Sequence, residues 1–150
     1  MTDSLRERLI ANVVTTLTGV TVGNGYASTI AAVTRGQLSP VETFGFPFAS
    51  VVPTGDVPDY GAQVLRRVLS LTIMLWIDDT PATAPATLEA LLADVEGALS
   101  VDFSRGGVAE HTLEQGVQYI YHPSTERLAG AGITFDIHYR TKLDDPLSGV

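Results

Sequence analysis

The sequence predicts an α+β fold, a mostly antiparallel sheet packed against two helices in a single domain. Three observations predict it. Apolar residues recur at helical spacing near the N-terminus and again after Pro85, they alternate with period two through the middle and the end of the chain, and runs of strands separate the two helices. A chain of 150 residues that is 45% hydrophobic, with positive mean hydropathy, can bury one core.

Ser4 and Glu7 have the spacing of a capping box, and Leu5, Leu9, Val13 and Leu17 follow every fourth residue with Ile10 and Val14 beside them. This is an amphipathic first helix, ended by Gly19. Val20 to Val22 extend briefly, Gly23-Asn24-Gly25 is a turn because glycine and asparagine tolerate positive φ, and residues 28–34 read as a strand.

Between Gln37 and Gly61 lie Pro40, Pro47, Pro53 and Pro58, which argue against a regular central strand. Phe44, Phe46 and Phe48 alternate in a short aromatic strand, either core residues under a helix or anchors for a neighbouring subunit. Residues 55–61 read as a long turn or hairpin tip. The longest strand runs from Gln63 to Ile77, with Leu69, Leu71, Ile73, Leu75 and Ile77 on one side.

Thr83 and Pro85 supply a cap and a first-turn proline for a second helix over 86–99, whose buried side carries Leu88, Leu91, Leu92, Val95 and Leu99. Gly106-Gly107 punctuates the link to a strand at Val117–Tyr121, and His122-Pro123-Ser124-Thr125 turns the chain. In the terminal strand, Gly130 to Arg140, Ile133, Phe135, Ile137 and Tyr139 face the core. Thr134, Asp136, His138 and Arg140 face the other way. The domain is expected to span 1–143, with 144–150 as a flexible C-terminal tail.

Seventeen acidic residues against nine basic ones give a net charge of −8, which opposes phosphate-driven binding of nucleic acid. Without cysteine there is no disulfide framework and no thiolate zinc site. The N-terminus has no basic segment followed by an apolar core, so synthesis and folding in the cytoplasm are expected, with no membrane partner.

Catalytic motifs are missing from the pattern. His111, His122 and His138 have no partner at a metal-ligand spacing, and the pairs Asp78-Asp79 and Asp144-Asp145 read as solvated charge. Gly23-x-Gly25 lacks the third glycine and the following helix of a dinucleotide fingerprint, and no Gly-x-Ser-x-Gly elbow occurs. Neither an enzyme nor a cofactor is expected.

The order of pieces resembles that of the tail terminator proteins of long-tailed bacteriophages, also called tail completion or minor tail proteins. The resemblance covers nearly the whole chain: Leu5-Arg6-Glu7-Arg8-Leu9-Ile10, Phe46-Pro47-Phe48, the strand Arg66 to Asp78, the helix Leu88 to Leu99, and Ile133-Thr134-Phe135-Asp136-Ile137-His138-Tyr139-Arg140 followed by Asp145-Pro146. It implies a subunit that forms a ring, commonly of six copies, on the head-proximal end of the virion tail tube. The ring would stop polymerisation, meet the tube protein and the head–tail connector or stopper protein, and let DNA pass without sequence-specific binding.

Interface candidates on that reading are Asp56, Asp59 and Tyr60 in the 53–61 loop, Arg66 and Arg67, Arg105 in the 102–111 segment, and His138 and Arg140. The alternatives are a head-completion or stopper protein of the neck, a tail-tube subunit, and a small-ligand or catalytic domain with a cleft near His138 and Asp136.

Overall fold

The computed structural model describes residues 3–36, 45–60, 64–121 and 128–149. Two helices, α1 (Leu5–Thr18) and α2 (Ala84–Val101), lie against one face of a five-stranded sheet. Its strands are β1 (Ala32–Arg35), β2 (Phe48–Tyr60), β3 (Val64–Asp78), β4 (Ala109–Tyr121) and β5 (Leu128–Lys142), in the order β1-β2-β3-β5-β4. β1 runs parallel to β2 and every other pairing is antiparallel, so the fold is the α+β sheet-and-two-helix arrangement expected.

The helices form where the apolar period says they should. Ser4 caps α1 by accepting from the Glu7 N–H at 3.1 Å, while the Glu7 carboxylate turns outward to Arg35 at 2.6 and 2.9 Å instead of closing the box. Leu5, Leu9, Ile10, Val13 and Leu17 are buried, as are Leu88, Leu91, Leu92, Val95 and Leu99 of α2. They meet Leu69, Leu71, Ile73, Leu75 and Ile77 of β3 and Ile133, Phe135 and Ile137 of β5. Each fully buried side chain of this size contributes about 1.5–3 kcal/mol, which makes this layer the main source of stability.

Four expectations change. Val22–Asn24 is a single 3₁₀ turn, closed by Gly25 at φ +93°, in place of an extension. Residues 53–60 are strand where a loop or hairpin tip was expected, and Gly61 lies outside the described residues: Pro53 and Pro58 lie inside the 13-residue β2, which pairs with β3 out to Tyr60↔Leu65. The prolines are tolerated because β1 accompanies β2 only as far as Val51, and beyond it the outer side of β2 pairs with no described strand. β4 begins at Ala109 and not near Val117, since bulges at 109/111 and 114/116 break its alternation, and Gly116 takes φ +147° at the second.

Lastly, Phe48 does not sit under a helix. It pairs with Trp76 on the sheet's other face, where it is fully buried, while its neighbours Ala49 and Val51 enter the main core. Phe46 is half-buried, and Phe44 and His122 lie outside the described residues. At the far end, the carbonyl of Pro146 accepts from the Leu5 N–H at 3.1 Å and that of Leu147 accepts from Arg8, which brings the C-terminal turn onto the start of α1.

Candidate functional site

The sheet register sorts the nominated residues into four groups. Asp56 (β2), Arg67 (β3) and Tyr139 (β5) fall on the helix-bearing face, and Arg6 reaches them from α1. The Asp56 carboxylate accepts from Arg67 at 2.7 Å, from Arg6 at 2.9 Å and from the Tyr139 hydroxyl. Its side chain is 8% exposed. Burial alone would raise its pKa, but the bonds from Tyr139, Arg67 and Arg6 outweigh burial and hold the carboxyl below its usual range. Tyr139 is pushed up to about 12 by burial and by its bond to Asp56. This knot ties β2, β3, β5 and α1 together.

On the opposite face, Arg140 grips Glu110 of β4 with two bonds, 2.6 and 3.0 Å, and its cross-strand neighbour Arg66 is exposed. His138 meets His111 edge-on with ring centres 6.5 Å apart, and His111 stacks on Phe103 at 6.4 Å. Asp136 accepts from Ser70 at 2.7 Å and Thr134 contacts Thr72 at 3.2 Å. The polar row of β5 is thus half-buried and matched by its neighbours, Asp136 by Ser70 of β3 and His138 by His111 of β4. A cavity of about 430 Å³ beside Glu110 and Arg140 is bordered by Arg8, whose charge is already directed at Leu147.

Arg105 is 1% exposed and does not reach the surface. Its guanidinium donates to the Leu99 and Asp102 carbonyls at the end of α2 and to Asn12 and Thr16 of α1, both at 3.3 Å. The residue accepts φ +50° to do so, and burial lowers its pKa. Asp59 and Tyr60, by contrast, are exposed near the end of the β2–β3 hairpin, Tyr60 at 74%.

Sequence reasoning missed two acidic arrangements. Asp79, taken for solvated charge, accepts from the Thr80 N–H and from the hydroxyls of Thr83 and Thr87 at 2.7–2.8 Å, beside the N-terminus of α2. Thr83 itself makes no side-chain cap bond. Where α2 borders β4, Glu96 bonds Glu114, and this contact, with some burial, raises the Glu96 carboxyl to about 7. Tyr119 of β4 donates to Glu89 there. Glu89 and Glu96, seven residues apart, share a helix face; β4 pairing was the missing signal.

Among the described residues no group of three or more His, Cys, Asp or Glu side chains is placed to hold a metal, and no helix is long and apolar enough to cross a membrane. No protein-family model matches the chain, and no curated protein matches it either.

Proposed function

We propose that the protein is a structural virion subunit: a tail terminator that assembles as a ring, six copies being the expected number, on the head-proximal end of a phage tail tube. The observation that supports this reading most directly is the one-sided build of the sheet. Both helices cover one face, while β4 forms a 13-residue edge and the outer half of β2 another. Such edges are templates for contact with further chains. Asp56 and Arg140, nominated for an interface, and Asp136, nominated for a cleft, each bond a neighbouring strand, which suits a part that must keep its shape under load.

A terminator binds the repeating face of the tube and turns a different face outward. Heterologous contacts between neighbours close into a ring when the rotation per subunit completes a circle. DNA would pass through such a ring, and a net charge of −8 disfavours its capture by the wall.

Electron microscopy of the purified protein, alone and mixed with tail tubes, tests the reading. Rings at one end of each tube, and abnormal tail lengths when the gene is deleted, are expected. A protein that ignores tubes and leaves tail length unchanged on deletion overturns it. Retention on headless tails, as opposed to filled heads, distinguishes a terminator from a stopper.

A further inference from the structure

We propose that His111 of β4 and His138 of β5 form a two-histidine site for a divalent transition-metal ion, zinc above all, which clasps the edge strand to its neighbour. Binding there requires no ring.

Two of the three histidines in the chain stand directly opposite each other across the β4–β5 ladder, and the first bulge of β4 puts them there. Ala109 pairs with Tyr139, so an unbroken ladder would set Glu110 against His138 and turn His111 toward the helix-bearing face opposite Ile137. The extra residue, Glu110, moves His111 one place along and onto the face of His138. Bulges re-aim side chains in this way beside functional sites.

The ring centres are 6.5 Å apart and the planes meet at 68°. Among the described residues neither imidazole makes a hydrogen bond or ion pair; His111 is exposed and His138 half-buried, so their nitrogens are not consumed by the fold. Phe103 stacks on His111 at 25°, which supports the ring by its face and leaves the nitrogen-bearing edge clear. Metal–nitrogen bonds of about 2.0–2.1 Å would draw the centres of two rings on one ion to about 5 Å. Rotation of two solvent-facing side chains supplies that approach.

Imidazole pairs select borderline ions such as Zn²⁺, Cu²⁺ and Ni²⁺ over Ca²⁺ and Mg²⁺, which take oxygen ligands. Zinc imposes no geometry of its own through d-electrons, so two waters complete a tetrahedron around the two nitrogens. Asp136, the next residue on the same face of β5, gives only Oδ1 to Ser70, and Arg140 on the other side is already met by Glu110. Arg66 lies opposite Arg140 on β3, and the net charge of −8 favours a cation over the whole surface. β4 is the last strand of the sheet, and its ladder is interrupted at His111, so an ion shared with His138 restores a cross-strand link where one is missing.

Isothermal titration calorimetry of the full chain with zinc chloride, paired with hydrogen exchange, tests this. One ion per chain is expected, and His111→Gln and His138→Gln should each weaken binding at least about tenfold while circular dichroism of the zinc-free chain stays unchanged. Zinc at about 100 times its Kd should raise the folded-to-unfolded ratio about a hundredfold and slow exchange of the β4 amides around His111, in wild type alone. Zinc held equally well by the variants, lost in only one of them, or not bound at about 1 mM overturns the site. Zinc that binds through both histidines yet leaves β4 exchange unchanged overturns the clasp.

Discussion

Asp56 and Tyr139 are hydrogen-bonded across the width of a strand: one stands on β2, the other on β5, and Arg67 of β3 between them bonds the same carboxylate. Arg6 adds a bond from α1. A carboxylate with three donors tolerates burial because both of its oxygens are met, Oδ1 by Arg67 and Oδ2 by Arg6 and Tyr139.

Replacing Asp56 by Ala leaves two arginines and a buried hydroxyl without their acceptor. Urea unfolding should show a loss of about 3–5 kcal/mol, the cost of breaking a buried pair from one side. The knot also sets an acid limit. Because the folded pKa of Asp56 lies below its unfolded value of about 3.9, its contribution is fully present above that value and is lost as pH falls through the folded one. Asp56→Asn should therefore lose less stability than wild type on acidification below about pH 4.

Arg105→Ala removes donors from the end carbonyls of α2 and from Asn12 and Thr16, which are then left underfilled. Loss of about 2–4 kcal/mol in thermal or urea unfolding is expected. Arg105→Lys should recover little of it, since an ammonium cannot reproduce the planar fork that spans both helices.

Gly130 and Gly132 separate close packing from mere smallness. A Cβ at Gly130 would meet Trp76 Cε3 at 2.6 Å and the Leu75 carbonyl at 2.7 Å, whereas at Gly132 it would meet the Thr72 methyl at 3.1 Å. Gly130→Ala should cost about 1–3 kcal/mol and blue- or red-shift the fluorescence of the single tryptophan, Trp76. Gly132→Ala should cost less, by calorimetry, because the Met74 and Thr72 side chains can give way.

Glu96 works in the opposite sense to Asp56. Its folded pKa is raised, so the native state holds its proton longer than the unfolded chain, and stability falls as pH climbs from about 4.3 toward 7. Glu96→Gln should melt close to wild type at pH 4 and above it at pH 8, measured at concentrations too low for self-association.

How much of this was legible depended on whether one period ran unbroken. Leu5, Leu9, Val13 and Leu17 announce α1, and the alternation from Leu69 to Ile77 and from Ile133 to Tyr139 announces β3 and β5, because one face of each is buried along its length. β2 was hidden by Pro53 and Pro58, whose penalty vanishes only once the strand is seen to have no described neighbour on that side. The first half of β4 was hidden by bulges that shift Glu114 and Gly116 out of step.

The candidate site was less legible than the fold. Asp56, Arg67, Arg66 and Tyr60 could be nominated from the hairpin sequence, but which arginine is consumed and which is free depends on Arg6 and Tyr139, 50 and 83 residues from Asp56. The inward turn of Arg105 had no local signal at all. Only the juxtaposition of the end of α2 with Asn12 and Thr16 explains it.

The bond from the Leu5 N–H to the Pro146 carbonyl, with Arg8 reaching the Leu147 carbonyl, has a consequence in time. α1 finds these partners only after residues 146 and 147 have joined the chain. Until then the first turn of α1 must rely on water for those groups, so its N-terminal end is completed late, by a segment 139 residues further along.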